Sequence, residues 1–436
     1  MNAIVHDRSA QLLMAVDGLG YDEARFRLER AALVIDGPPD LDEAHQALLL
    51  SVVRCGVRMF KAGVFLGEGL SGRITIGLER PARLRRALQD LGAQVQTAPL
   101  DAARLWIGAD DGHGAPQLRA WVDGWQAVIS PRPAEDPPRT GNVLAGMAAG
   151  GLAVAELFRK TVLADVRACR RPQALSVWGA NEPEIAKITR LPRHAWLLGL
   201  GNLGQATLFG LSLLPWDDPG EATFVLNDAD VVGPENLSVQ ILTTPAWIGR
   251  KKVRAAAEWI EARGFKVVLD ERRFIASTQP GQNDPRMALV GVDNLDARRW
   301  AAASGFDLVI DAGLGASGPE AFDIRLHAFP GAQDPAAVWP EIQTAGRKLP
   351  SSLAALVEQG RLDMCGAMTI AGASVGVPCT AVVAAALQLG QACRALETGS
   401  CADRVDLSLA DLPRASWRQM PAALYRGPAV LASRVA

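Results

Sequence analysis

Six residues, GLGNLG at 199–204, constrain the chain more than any others. They come after a short apolar segment, HAWLL, and open a longer one, NLGQATLFGLSLL, so they stand at a strand-to-helix turn. Gly199 permits the tight turn, Gly201 leaves the backbone open to a phosphate, and Gly204 lets helix press onto strand. The helix N-terminus adds partial positive charge. Asp228 ends the next apolar segment, EATFVLND, where a carboxylate can hold ribose hydroxyls. A packing turn that binds nothing is the bland alternative. Taken alone, the motif also fits a nicotinamide-dependent oxidoreductase. The loop begins near the middle of 436 residues, so the preceding half needs its own explanation.

A chain of this length exceeds one ordinary core, and two domains are expected. Past the loop, strands EATFVLNDAD, FKVVLDERRF, RMALVGVDN and FDLVIDAG alternate with helices RKKVRAAAEWIEARG and LDARRWAAASG. That alternation implies a mainly parallel, doubly wound sheet. The first half has the same rhythm. RAALVIDG, MFKAGVFLG, AQVQTAP, ARLWIGADD and QAVISP are expected as strands. DEAHQALLLSVVRCG, RPARLRRALQDLG, QLRAWVDG and NVLAGMAAGGLAVAELFRK are expected as helices.

The halves also resemble each other. LWIGADDGHGAPQLRAWVDGWQAVIS parallels ALVGVDNLDARRWAAASGFDLVID, and GMAAGGLAVAELFRK parallels GVPCTAVVAAALQLGQACRAL. The expected architecture is α/β, two Rossmann-like doubly wound lobes spanning 1–185 and 186–436 and paired as a pseudo-dimer. Where the second half has GLGNLG, the first has DGPPDL, whose prolines carry no amide hydrogen for a phosphate. The first lobe is therefore expected to be inactive.

Composition removes several classes. A net charge of −2 offers no electrostatic reason to bind nucleic acid or an anionic membrane. The six cysteines (55, 169, 365, 379, 393 and 401) contain no CxxC pair, which argues against structural zinc. Their sparseness, and a start MNAIVHDRSAQ lacking both basic and apolar signal regions, suit the cytoplasm. The apolar run TAVVAAALQLGQA is short and alanine-rich, as expected of a buried helix.

The segments beyond the glycine loop do not form a hydride-transfer pattern. DADVVGPENLSVQ, then IGRKKVRAA, then GVDNLDARR resembles the adenylating domain of the E1 family, which activates ubiquitin-like proteins, and its ThiF/MoeB relatives. That family carries DxDxVxxxNLxRQ, a Gly-x-x-Lys opening the next helix, and a later Asp-Asn. The matching positions are Asp228, Asp230, Asn236, Leu237, Gln240, Lys252, Asp293 and Asn294, within a resemblance that covers residues 190–400. It implies ATP and Mg2+ as cofactors, with a ubiquitin-like protein and an E2-like protein as partners.

In such an acyl adenylation, a C-terminal carboxylate attacks the α-phosphate of ATP. Asp293 is then the candidate magnesium ligand, with a helix N-cap as its alternative role. Lys252 would face the phosphates, unless it belongs to a solvated charge run. Asn236 and Gln240 would donate to phosphate oxygens, and Arg298 has a lesser claim.

One departure stands out. The family's arginine in NLxRQ is Val239 here. The resemblance implies that an inactive lobe lends an arginine from its N-terminus. Arg8, Arg25, Arg27 and Arg30 are the candidates, Arg8 lying nearest in position to the family's motif. For thioester formation, Cys365 in RLDMCGAMTIAGASVGVPC resembles the family's cysteine-glycine segment. Cys379, Cys393 and Cys55 are expected to be packing residues, and Cys401 is an outsider. The implied protein resembles the compact, two-lobed bacterial E1-like proteins of ubiquitin-like conjugation systems, which are associated with antiphage defence. A ThiF/MoeB-type enzyme serving a sulfur carrier, an NAD-dependent oxidoreductase and a non-catalytic scaffold are the alternatives.

Overall fold

The computed structural model describes residues 8–315, 318–340, 357–358, 376–420, 425 and 427–432. Two helices lead: α1 (Arg8–Asp17) and α2 (Tyr21–Arg30). The first sheet is built from β1 (Ala32–Asp36), β2 (Gly63–Leu66), β5 (Ala103–Ile107), β6 (Leu118–Asp123), β7 (Gln126–Ser130) and β8 (Gln173–Ser176). A small antiparallel pair, β3 (Arg73–Ile74) and β4 (Ala82–Arg83), lies beside it. The order across the first sheet is β2-β1-β5-β6-β7-β8. Helices α3 (Glu43–Met59), α4 (Leu84–Asp90) and α5 (Val143–Thr161) accompany it. Asp42 caps α3 by accepting from the His45 amide at 2.8 Å, and Asn142 caps α5 through the Leu144 and Ala145 amides at 3.0 Å each.

β9 (Arg190–Pro192) pairs with β18 (Ala429–Leu431) near the chain's end. The second sheet comprises β10 (His194–Leu198), β11 (Thr223–Asn227), β12 (Lys266–Asp270), β13 (Met287–Val290), β14 (Leu308–Leu314), β15 (Asp323–Phe329), β16 (Ala402–Ser408) and β17 (Ser416–Gln419). Its order is β12-β11-β10-β13-β14-β15-β16-β17. The helices are α6 (Asn202–Leu213), α7 (Lys252–Glu261), α8 (Leu295–Ala303), α9 (Pro335–Val338) and α10 (Pro378–Thr398).

The duplication is visible in the topology. In each lobe four parallel strands are followed by two antiparallel ones, in the same spatial order, and β12 and β17 are additions at the second sheet's edges. α3 and α6 come after the first strand of each lobe, and α5 and α10 fill equivalent crossovers. These four helices form the shared core. Glycines let them approach closely: a Cβ on Gly146 of α5 would lie 2.0 Å from the Ala44 carbonyl oxygen. α10 is, among the described residues, the one helix long and apolar enough to span a membrane, and it is buried between the lobes.

Two local expectations fail in the first lobe. QLRAWVDG is not a helix: Leu118–Asp123 is strand β6, parallel to β5 and antiparallel to β7. Arg119 looks solvent-facing in the sequence, yet it is buried and donates to the carbonyls of Asp110, Asp111 and Pro131. With that cation satisfied, both faces of the segment pack inside, and six residues carry too little periodicity to betray a strand. AQVQTAP contributes only a bridge between Gln94 and Phe65. The counterpart of α8 has thus shrunk to a loop, leaving a small cluster of Ala32, Phe65 and Ala102 on that face.

Candidate nucleotide site

In the second sheet the strand order reverses between β10 and β13. Ligands of open α/β sheets bind at the carboxyl end of such a switch point. The glycine loop leaves β10 there. Gly199 sits at φ +86°, and a Cβ on Gly204 would lie 1.8 Å from the Gly199 carbonyl oxygen. Only glycine satisfies both positions. Gly201 is the N-cap of α6, and a Cβ placed on it meets nothing within 4 Å. Among the described residues no side chain caps this helix, so its first-turn amides are not taken by a side-chain cap.

Asp228 ties two turns together. One carboxylate oxygen accepts from the Leu200 amide at 2.7 Å and the other from the Asp230 amide at 2.8 Å. Asp230 is exposed and pairs with Lys252, Nζ to Oδ2 2.9 Å. Burial works against the Asp230 charge, but the Lys252 hydrogen bond and the charges of Lys252, Arg273 and Lys251 hold its carboxyl below the ordinary value. Lys252 is the first residue of α7, its side chain 11% exposed, and its amide donates to the Asp230 carbonyl at 3.0 Å. It is therefore not part of a solvated helix face.

Asn236 is buried in the short 3-10 turn Pro234–Ser238, where its Oδ1 accepts from the Gly233 amide at 2.9 Å. Gln240 is also buried. Its Oε1 accepts from Gln205 Nε2 at 2.7 Å and from the Thr243 hydroxyl at 3.0 Å. That amide oxygen is spent on holding the loop. Gln205, next to Gly204, carries no signal in the sequence pattern.

Asp293 and Asn294 come just after β13. Asn294 caps α8, accepting from the Asp296 and Ala297 amides at 2.8 and 3.1 Å, and Asp293 is left exposed beside it. Beneath them Arg298 donates to the Val292 carbonyl at 2.7 Å and reaches the buried Asp311 at 3.4 Å. A carboxylate inside the apolar run DLVIDAG is the sequence signal for that pair. Burial raises the Asp311 carboxyl to about 6 despite the Arg298 charge.

α1 crosses from the first lobe to this site. It packs against the turns at Pro234–Ser238 and Gly318–Phe322, and the Arg8 amide donates to Ser238 Oγ at 3.4 Å. Burial pushes the Arg8 guanidinium down, while the charges of Glu235 and Asp293 pull it back. Arg25 and Arg27 pair with exposed carboxylates on or beside α2, and Arg30 lies over Phe26. Val239 is buried.

The equivalent place in the first lobe is closed by its own chain. Asp36, at the end of β1, accepts from the Gly37 amide at 2.9 Å and the Gly69 amide at 3.1 Å. A Cβ on Gly67 would lie 2.1 Å from the Asp36 carboxyl carbon. Arg85 fastens the plug through the Gly67 carbonyl at 2.6 Å and the Leu70 carbonyl at 3.3 Å.

Cys365 lies outside the described residues. Cys55, Cys379, Cys393 and Cys401 are buried and Cys169 is partly so. Burial raises every one of these thiols, four of them to about 12 and Cys55 beyond its ordinary range.

Two family models match the chain, one on each half. Residues 30–177 match the BilD N-terminal domain and residues 191–399 the BilD C-terminal domain. The bacterial E1-like protein BilD of Collimonas sp. (strain OK412) is 32% identical over 389 residues, covering 85% of this chain and 83% of its own. Among solved structures, E. coli MccB with succinimide aligns at a TM-score of 0.34 and 12% identity over 52% of this chain, which spans 63% of that one. MccB with ATP aligns at a TM-score of 0.34 and 14% identity, over 54% and 65%. The chain belongs to the BilD family of bacterial E1-like proteins.

Proposed function

We propose that the second lobe binds MgATP and adenylates the C-terminal carboxylate of a ubiquitin-like protein, which Cys365 then takes as a thioester for an E2-like protein. In this reading the substrate carboxylate oxygen bonds to the α-phosphorus while the bond to the bridging oxygen breaks and pyrophosphate leaves. The thiolate next attacks the acyl carbon, and AMP departs. The α6 amides and Lys252 would receive phosphate oxygens, Asp228 would order the loop around the nucleotide, and Asp293 would hold the magnesium that offsets phosphate charge. The first lobe is inactive as an enzyme and acts by lending α1. A single chain then does what a dimer of one-lobed relatives does, and the antiphage and cytoplasmic setting is proposed by analogy with two-lobed bacterial proteins.

The observation that carries this reading is Arg8. A cation from the first lobe lies within electrostatic reach of Asp293 and Glu235, beside the turn where Val239 has replaced the family's arginine. An arginine there restores the charge that adenylation needs. Support for Cys365 comes from the other five cysteines, whose raised thiols make poor nucleophiles.

The test is ATP:pyrophosphate exchange in the presence of a small ubiquitin-fold protein ending in glycine, followed by a non-reducing gel. Exchange, with a thiol-sensitive band lost in Cys365→Ala alone, is expected. Exchange with a band that survives that substitution moves the thioester to another cysteine, and absence of exchange overturns the adenylation reading.

A further inference from the structure

Three hydrogen bonds run from the first lobe's α3 into the loop behind the glycine turn. Arg58 donates through Nε to the Gln240 carbonyl at 2.9 Å and through Nη2 to the Thr243 carbonyl at 3.1 Å. Arg54 donates through Nη1 to the Ile241 carbonyl at 3.2 Å. The two arginines are themselves joined, Arg58 Nη1 to the Arg54 carbonyl at 2.8 Å. Among the described residues no carboxylate neutralises Arg54. Its guanidinium lies 4.9 Å from the centre of the Phe209 ring and 5.8 Å from that of Trp259, which also carries Arg263 at 3.6 Å. Burial, then the charges of Arg58 and Arg263, push Arg54 down to about 9. A buried, uncompensated cation is a costly way to hold two lobes together, so its persistence calls for a geometric purpose.

The clamped loop continues inward. Gln205 Nε2 donates to Gln240 Oε1 at 2.7 Å, to Thr243 Oγ1 at 2.9 Å and to the Leu200 carbonyl at 3.4 Å. Its Oε1 accepts from the Leu242 amide at 3.0 Å. Gln205, Gln240 and Thr243 are each at most 3% exposed. Leu200 is the residue between the first two glycines of the loop, and its amide is the one Asp228 holds. A continuous set of buried and half-buried hydrogen bonds thus links the first lobe to the glycine loop.

We propose that Arg58 and Arg54 are positioning residues, through which the first lobe sets the conformation of the second lobe's glycine loop by way of Gln240, Thr243 and Gln205. This rests on the nucleotide reading for its consequence, though not for its geometry. The first lobe then has a second duty besides lending Arg8: it is the mould against which the phosphate-facing turn is shaped. Although Arg54 Nε has no partner among the described residues, the mutual bonds of Gln205, Gln240 and Thr243 give a buried network through which such a constraint can pass.

The experiment uses the full chain with Arg58→Ala, Arg58→Lys, Gln205→Ala and the double Arg58→Ala/Gln205→Ala. Lysine keeps the charge at 58 but lacks the fork that spans two carbonyls. Amide hydrogen exchange and MgATP affinity are read together. Arg58→Ala and Arg58→Lys are expected to speed exchange over residues 199–205 about tenfold, with β14 and β15 unaltered, and to weaken ATP binding about fivefold. Adding Gln205→Ala is expected to change neither further, because both act on one network. The proposal is overturned if 199–205 exchanges as in the wild type, or if the two substitutions multiply. A wild-type chain that binds no MgATP sinks the nucleotide reading separately, and the exchange pattern still decides the network.

Discussion

Lys252 Nζ lies 2.9 Å from Asp230 Oδ2, and the Lys252 amide is bonded to the carbonyl of the same aspartate. The lysine is mostly sheltered and the aspartate mostly open. Held this way, the ammonium is tied through Asp230 to Asp228, which in turn holds the glycine loop, without a large contribution to stability, since partly exposed pairs contribute only ~1 kcal/mol or less. Lys252→Met is therefore expected to lower pyrophosphate exchange by about two to three orders of magnitude, the cost of losing one preorganised donor. The melting temperature should move by only a few degrees. Exchange assays and thermal melts on the same preparation check both halves.

Arg8 is expected to behave as a reacting-site cation. Arg8→Ala should lower exchange by at least about a hundredfold. Arg25→Ala and Arg27→Ala, which remove only surface pairs, should leave it within about twofold. Equal effects from all three would reduce α1 and α2 to packing elements.

Asp293 and Asn294 are adjacent but should separate cleanly. Asn294→Ala removes the α8 cap and should cost about 1 kcal/mol of stability while exchange persists. Asp293→Asn should abolish magnesium-dependent exchange and leave nucleotide binding in place. Metal titrations and chemical denaturation of the two variants distinguish a ligand from a cap.

Asp311 makes a prediction about pH. Burial raises its carboxyl to about 6, against the pull of Arg298, and its Oδ1 has no partner among the described residues. The fold therefore favours the protonated form. The stability this contributes is present at low pH and is lost as the pH rises through about 6. Asp311→Asn should gain on the wild type by about 3 kcal/mol between about pH 4 and 7. His327, its cross-strand neighbour, is pushed down to about 4, first by burial, and loses stability in the opposite direction as pH falls; it is common to both chains and largely cancels. Denaturation midpoints across that pH range give the difference, and parallel curves would refute it.

Legibility in the sequence depends on how local each constraint is. The glycine loop is local: Gly199 and Gly204 are required by a turn and a contact five residues apart, so the pattern announces itself. The alternation of strands and helices is local too, and it exposes the two-lobed architecture. β6 reads as a helix because a cation inside LRAWVD suggests a wet face, whereas Arg119 is buried on carbonyls supplied by turns eight to twelve residues away, beyond the reach of a periodicity window of six residues. Gln240 looks like a phosphate donor because its neighbours resemble the family motif; its amide oxygen is turned onto Gln205, whose partners lie far along the chain. Arg54 and Arg58 give no signal at all, since nothing on an amphipathic helix says which carbonyls from another lobe will meet it. Arg8 is one of four equivalent-looking arginines until the path of α1 distinguishes it.

One lobe is proposed to hold the nucleotide, while its duplicate is sealed by residues 67–70. Photolabelling with 2-azido-ATP and magnesium, then peptide mapping, tests that division directly. Label confined to peptides within 199–240 and 291–298, with none on 36–42 or 67–72, is the result expected. Label on the first lobe's turn, or labelling that excess ATP does not suppress, would contradict it.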